Sequence, residues 1–306
     1  WQEKHQIEKF NEQLMYDENL FRIASEKSGV IIMSYIIKTK QLHFVNNHMF
    51  GLSFPDRVDN LPENFMKYIP RDDTKLKEEA RKIIASMEND IGTRVFFLPI
   101  KRPDGRDMIL RIQLISLSGA DGEVRQCVGV LEDATETLHL REKADRDSLT
   151  GLFNRSRAIE KINEVLKDFK GKEGSVHACM ILDLDNFKQV NDTYGHPCGD
   201  AVPLEAARVF RSFFAESGHV GRIGGDEFMI LCQKPENLKT FKENLQLLEN
   251  HGIFIWWKSQ EIHVKFSAGC IFSKDGDTYD LLYQKADQAL YRAKKLGKGR
   301  YYIEES

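Results

Sequence analysis

The chain has 306 residues, of which 41% are hydrophobic and 30% charged, and its formal net charge is −3. That is apolar material for about two packed cores, and a charge so close to balance argues against bulk electrostatic binding to nucleic acid or a membrane surface. No apolar run approaches the ~18 residues of a membrane span, and no signal-peptide pattern opens the chain. Residues 1–20 are polar, with Ile7, Phe10, Leu14 and Phe21 at helical spacing. They predict an amphipathic helix that either continues a coiled coil from upstream or packs alone on the next domain. Residues 21–135 differ in character. Strand-like runs at 30–37 and 42–46 are joined by a polar Lys38-Thr39-Lys40-Gln41 turn. A mixed, mainly helical region follows to about residue 90, then strand-like runs at 92–101, 107–117 and 124–132. Pro103-Asp104-Gly105-Arg106 is a turn signal between two of them. Residues 134–147 are charged, with Leu138, Leu140 and Ala144 as apolar points, and predict a helix that either transmits a signal or only links domains.

From there the chain alternates strands and helices. One helix is predicted over 155–170, with Ile159, Ile162, Leu166 and Phe169 on one face, and another over about 200–215, with Val202, Ala206, Val209 and Phe213. Pro203 suits the second only in its first turn. A third uses Leu238, Phe241, Leu245 and Leu248 and ends at Gly252, and a last covers about 279–295. Such helices would cover one sheet in an α+β domain. Cys127, Cys179, Cys198, Cys232 and Cys270 form no CxxC pair and read as reduced core thiols of a cytoplasmic protein. Because the first residue is Trp1 and not Met, the chain is expected to be part of a longer protein, with a sensor or membrane anchor upstream left open.

Two acidic segments carry the chemistry. Ala178-Cys179-Met180-Ile181-Leu182 is a short apolar run consistent with a buried strand, and it ends in Asp183-Leu184-Asp185-Asn186-Phe187-Lys188. Carboxylates at the end of a buried strand are costly unless solvated, paired or metal-bound. The second segment is Arg222-Ile223-Gly224-Gly225-Asp226-Glu227-Phe228, followed by an apolar run to Cys232. Gly224-Gly225 suggests a tight hairpin turn with both residues at positive φ, where a phosphate could approach the backbone. An ordinary polar turn is the plainer alternative. Were Asp183 and Asp226 to converge to about 4 Å, their repulsion would be roughly 4 kcal/mol at an effective dielectric of 20. A divalent cation would reverse that sign, and hard oxygen ligands favour magnesium over zinc.

From about residue 145 to 306 the chain resembles the GGDEF-family diguanylate cyclases. The resemblance rests on Arg146-Asp147-Ser148-Leu149-Thr150-Gly151-Leu152-Phe153-Asn154-Arg155, the Asp183–Lys188 segment, Asn191-Asp192-Thr193-Tyr194-Gly195-His196 with Gly199-Asp200, the Gly224–Phe228 signature, and Ala286-Asp287-Gln288-Ala289-Leu290-Tyr291-Arg292-Ala293-Lys294. It implies condensation of two GTP into the bacterial second messenger cyclic di-GMP with release of pyrophosphate. The enzyme would be a cytoplasmic homodimer, because each 3′-hydroxyl attacks the other nucleotide's α-phosphate. The resemblance implies magnesium, with manganese as a substitute, held by Asp183, the carbonyl of Leu184 and Asp226. Glu227 would assist the metal or transfer a proton. It further implies guanine reading by Asn191 and Asp200. Phosphate contacts would come from Gly224, Gly225, the backbone at Asn186 and Phe187, Lys188, Lys294 and Lys298. Family members usually carry arginine where Lys298 stands, and lysine keeps the charge but not the forked geometry. Asp185 reads as structural. The Arg-x-x-Asp product-binding motif of many members is absent, since Ala215-Glu216-Ser217-Gly218 stands in its place.

Two strands, short helices and three strands, closing on Asp133-Ala134-Thr135, resemble a PAS sensor domain. The expected architecture is thus an N-terminal helix (1–20), a PAS-like antiparallel sheet with helices (21–135), a signalling helix (136–147) and a palm-like GGDEF domain (148–306). The ligand of the PAS-like domain is unknown. His43 and His48 are read as ordinary core or surface histidines, and no cysteine precedes residue 127 to form a flavin adduct. Two rival readings are kept. One is a catalytically silent GGDEF module that binds GTP or cyclic di-GMP and signals through partners. The other is a different palm-fold nucleotidyl enzyme.

Overall fold

The computed structural model describes residues 22–304 apart from 47, 50, 70–72, 170–176, 215–217 and 234–237. The helix predicted over 1–20 and Ala215-Glu216-Ser217 lie outside the described residues. The chain divides between Leu140 and Arg141 into two units.

In the first unit a helical stretch over 22–28 (α1) turns at Gly29 into β1 (Val30–Ile36). There follow β2 (Gln41–Phe44), β3 (His48–Met49), β4 (Leu52–Ser53), β5 (Arg57–Val58), α2 (Thr74–Asn89), β6 (Thr93–Lys101), β7 (Asp107–Ser118) and β8 (Val124–Asp133). The main sheet runs β5-β2-β1-β8-β7-β6, antiparallel throughout. One face is packed, so β1 alternates: Ile31, Met33 and Tyr35 are buried between more exposed neighbours. Helix α2 lays Ile83, Ile84 and Met87 on that face. The short strands β3 to β5 were not expected; two residues each is too little for a period-2 pattern to show. At the exit of β8, Asp133 accepts hydrogen bonds from Thr135 N (2.9 Å) and Oγ1 (2.5 Å) and pairs with Arg102. Helix α3 (Thr135–Ala144) starts there and crosses the division between the units.

The second unit contains α4 (Arg155–Phe169), β9 (Ala178–Leu184), α5 (Phe187–Tyr194), α6 (His196–Phe214), β10 (Gly218–Arg222) and β11 (Glu227–Cys232). Then come α7 (Leu238–His251), the hairpin β12 (Ile253–Trp257) and β13 (Gln260–Val264), β14 (Phe266–Phe272), α8 (Tyr279–Lys295) and β15 (Tyr301–Glu304). The sheet order is β10-β11-β9-β14-β15, with only β15 parallel to its neighbour. Central strand β9 is covered on both faces. Met180 and Leu182 pack with Phe210 of α6, while Cys179 and Ile181 pack with Ile162 of α4 and Leu290 of α8. This explains an apolar run without alternation. All five cysteines are buried.

One helix was not expected and one helix prediction needs correction. Residues 187–194 form a helix of their own, and the helix placed at 200–215 starts at His196. Gly195, at φ 82, makes the break between them. Pro203 therefore sits inside α6 and not in its first turn. The buried face of Val202, Ala206, Val209, Phe210 and Phe214, to which Pro203 itself belongs, outweighs the missing backbone donor.

Candidate active site

Strand pairing brings the two acidic segments together. In the β9–β11 register Glu227 stands directly opposite Asp183, so both side chains leave the same face of the sheet. The Leu184 amide donates to the Asp226 carbonyl at 3.0 Å, which ties the turn before β11 to the end of β9. That face is covered by α8, and Lys294 reaches across to place Nζ 2.8 Å from Asp183 Oδ1. The Asp183 side chain is only 14% exposed, so the lysine is the counter-charge that a carboxylate at a buried strand end requires. Even so, burial pushes the Asp183 carboxyl above its ordinary value; Lys294 opposes the rise, and the charges of Asp226 and Asp185 add to it. Burial also raises Glu227, as do Asp183 and Asp226, with Lys294 acting against them.

The signature turn differs from its expected form. Four residues, 223–226, separate β10 from β11, and neither Gly224 nor Gly225 has a left-handed φ. Only Gly224 stands where a side chain would be crowded. A Cβ at Gly224 would come within 3.0 Å of Glu227 Oε2, and one at Gly225 would face open space. The turn is held from below by Arg222, whose Nη2 and Nε donate to the Gly225 carbonyl at 2.7 and 3.2 Å. Its Nη1 donates to Asp147 Oδ1 at 3.1 Å. Asp147 in turn accepts from Thr150 N (2.8 Å) and Oγ1 (2.7 Å). Burial pushes the Asp147 carboxyl up, but the Thr150 and Arg222 hydrogen bonds outweigh it and hold the group below its ordinary value. Sequence reasoning quoted Arg222 and Asp147 within motifs but assigned them no role. The signal available was an arginine beside the glycine pair and an Asp-x-x-Thr capping pattern.

Asp185 is buried and structural: it accepts from Ser267 Oγ at 2.8 Å and from the Gly299 amide at 2.8 Å. Asn186 follows in the left-handed region at φ 57 and heads α5, with Phe187 packed on the core behind it. Its Oδ1 accepts from Lys298 Nζ at 2.9 Å, and both residues line a cleft of about 500 Å³. Lys188 is exposed on the first turn of α5. Asn191, near the end of α5, presses its amide against Gly199 of α6, where a Cβ would lie 1.8 Å from Asn191 Oδ1; Asp200 is exposed next to that glycine. Lys294 and Lys298 have different partners, and Glu227 and Lys294 line a second cleft of about 880 Å³ with Asp287, Tyr291 and Tyr302. The structure thus unites Asp183, Glu227 and Lys294 in one group, Asn186 with Lys298 in another, and Asn191 with the start of α6 in a third.

Among the described residues, no three His, Cys, Asp or Glu side chains are grouped as a metal cage. Magnesium does not require one, since it is commonly held by one or two carboxylates with waters and substrate phosphates. Asp183, Asp226 and the Leu184 carbonyl could supply oxygens to such a cation, and the charge of Asp226 acts on the Asp183 carboxyl.

The family described as diguanylate cyclase, GGDEF domain, matches residues 144–300, just over half of the chain. The chain belongs to the GGDEF diguanylate cyclase family. It is 33% identical over 188 residues to a diguanylate cyclase of Vibrio cholerae serotype O1, covering 60% of this chain and 58% of that protein. To the diguanylate cyclase DgcS of Shewanella oneidensis it is 32% identical over 175 residues, covering 56% and 57%. The chain thus spans a little over half the length of these relatives. Among solved structures it is similar to the coiled coil and GGDEF domain of DgcB from Caulobacter crescentus in complex with c-di-GMP. There the identity is 25% and the TM-score 0.52, over 55% of this chain and 90% of that one. It is also similar to the diguanylate cyclase SiaD of Pseudomonas aeruginosa, solved with its activator SiaC. There the identity is 33% and the TM-score 0.51, over 55% and 65%. These neighbours support a mixed α+β, palm-like fold for the GGDEF domain. No helix among the described residues is long and apolar enough to cross a membrane.

Proposed function

We propose that this GGDEF protein is an active cyclase that condenses two GTP into cyclic di-GMP and pyrophosphate, working in the cytoplasm as a homodimer. The observation that carries the reading is the pairing of Asp183 opposite Glu227, with Asp226 beside them and Lys294 on Asp183. Asp183, the Leu184 carbonyl and Asp226 would hold magnesium, or manganese in its place, which when bound neutralises the triphosphate and makes the 3′-hydroxyl more acidic. Glu227 serves either that cation or the hydroxyl proton. Lys294 would leave Asp183 for the triphosphate, joined by Lys188, Lys298 and the amides at Asn186 and Phe187, which open a helix and favour an anion. Gly224 and Gly225 keep side chains out of the path of the phosphates. Asn191 and Asp200 would read guanine, the carboxylate accepting from N1–H and the 2-amino group. One such site holds one nucleotide, so the product needs two sites face to face, which is why the dimer is part of the proposal.

Residues 21–135 would act as a PAS-like sensor, joined through the helix over 136–147 to the cyclase at 148–306. The run β2-β1-β8-β7-β6, the helix before β6 and the Asp133–Thr135 exit support this. Incubation with GTP and magnesium followed by mass analysis tests the activity: cyclic di-GMP is the expected product, and unreacted GTP would leave a binding module in its place.

A further inference from the structure

The cleft shared by Asn186 and Lys298 contains a second lysine, Lys265. The cleft lies between α5, the junction of β13 with β14, and the loop 297–299 that follows α8. Lys265 stands at that junction. Its carbonyl accepts from the Asp185 amide at 2.8 Å, which fixes it next to the segment that opens α5. Its side chain runs across the loop, since an ideal Cβ on Gly299 would lie 2.7 Å from Lys265 Cδ. Lys298 arrives from the same loop at φ 60, and Asn186 meets it at φ 57. Both lie in the left-handed region that a side chain disfavours. Strain of this kind gathers at sites that hold ligands.

Charge points to the occupant. Asp185 is the one carboxylate among the described lining residues, and it is held by Ser267 Oγ and the Gly299 amide. Among the described residues neither Lys265 nor Lys298 has a carboxylate within ion-pair distance, in contrast to Lys294 on Asp183. Two unneutralised ammonium groups and the amides that open α5 suit an anion of more than one charge. The cleft follows the flank of α5 that carries Gln189 and Val190. At 100° per residue Asn191 is turned about 140° around the helix from Asn186, so the proposed base reader and the cleft lie on different flanks.

We propose that Lys265 is a phosphate-binding residue that, with Lys298, holds the β- and γ-phosphates of GTP and retains them as pyrophosphate. This rests on the cyclase reading. In that reaction the 3′-oxygen bonds to the α-phosphorus while the bond from that phosphorus to the bridging oxygen breaks. The electron pair stays on pyrophosphate, and the hydroxyl proton passes to Glu227 or water. The leaving group departs in line, opposite the attacking hydroxyl and so away from the partner protomer's nucleotide.

The test is calorimetric titration of the full chain with inorganic pyrophosphate in the presence of magnesium, with no GTP. No turnover is needed, so failure of the cyclase reading would show separately, as absence of cyclic di-GMP. Saturable pyrophosphate binding to the wild type is expected. Lys265→Gln keeps the stem across Gly299 and removes the charge, and should weaken that binding by at least about tenfold. Lys265→Arg should restore it to within a few-fold. GMP, which carries only the α-phosphate, should bind the wild type and Lys265→Gln alike. Lys265→Met carries the comparison if the glutamine variant does not fold. Absence of pyrophosphate binding by the wild type overturns the proposal, as does equal binding by a folded variant without the charge, or an equal loss of GMP.

Discussion

Replacing Gly199 by alanine should weaken nucleotide recognition while leaving the fold intact. An ideal Cβ there would lie 1.8 Å from Asn191 Oδ1 and 2.7 Å from its Cγ, whereas ordinary contact begins at 3.4 Å. The amide must therefore retreat by about 1.6 Å, the difference 3.4 − 1.8. It is the end of a flexible side chain, so α6 need not move. Inside a helix the change from glycine to alanine contributes roughly 1 kcal/mol of stability, which offsets the roughly 0.5–1.5 kcal/mol of an off-rotamer Asn191. The melting temperature should stay within about 3 °C of the wild type. If Asn191 reads guanine, its displacement loses one hydrogen bond, about 1–1.5 kcal/mol, or about tenfold in the KM for GTP. The chemistry is untouched, so kcat should stay within roughly twofold. Steady-state kinetics alongside a thermal melt checks both halves. An unchanged KM in a folded Gly199→Ala protein would refute the placement of the base beside Asn191, and a collapsed melt would refute the claim that the side chain yields.

Asp226→Asn removes one carboxylate from the proposed metal set and should lower kcat by roughly 10² to 10³, read by product formation at saturating GTP. If Asp200 reads the base as proposed, ATP would leave a carboxylate without its paired donors, so GTP should be preferred by up to roughly 10⁴ in a competition assay; abundant mixed guanine–adenine product would contradict this. The Arg222–Asp147 pair is mostly buried, at 12% and 23% exposure, and Asp147→Asn should cost about 1–3 kcal/mol at neutral pH. Since the folded Asp147 carboxyl sits below its ordinary value, its contribution is full above about pH 4 and fades as pH falls through the folded value, so denaturant melts of Asp147→Asn should lose part of their acid-side slope. Ala215-Glu216-Ser217-Gly218 offers no arginine or aspartate to hold product, so calorimetry should find no submicromolar cyclic di-GMP binding that disappears when those residues are altered.

Legibility followed the length of the pattern. Strands β1, β2, β6, β7 and β8 and helices α4, α7 and α8 carry the clearer patterns, and the observed ends fall within a few residues of those predicted. The two-residue strands β3, β4 and β5 and the eight-residue α5 offered too few positions for a period to show. The glycine pair was read as a conformational device, while the structure uses Gly224 to clear Glu227. Clustering of Asp183, Asp226 and Glu227 was visible as two acidic segments. Their connection to Lys294 was not, because a helical lysine has no local mark that separates it from its solvated neighbours. The same holds for Arg222 and Asp147, which meet only through tertiary structure.

The order in which the chain is made adds a consequence to the Asp183–Lys294 pair. A ribosome releases Asp183, Asp226 and Glu227 well before it reaches α8, so the acids emerge first and their cation emerges far later. Asp185 waits as well, because the Gly299 amide that it accepts from is later still. A nascent chain halted ahead of α8 holds β9 and β11 with α4 on that face, but the Asp183 carboxylate lacks Lys294 and the α8 half of the cover. The second face of the palm-like sheet is therefore completed only after synthesis has passed Gly299, and fragments that stop earlier should be more open to proteolysis there.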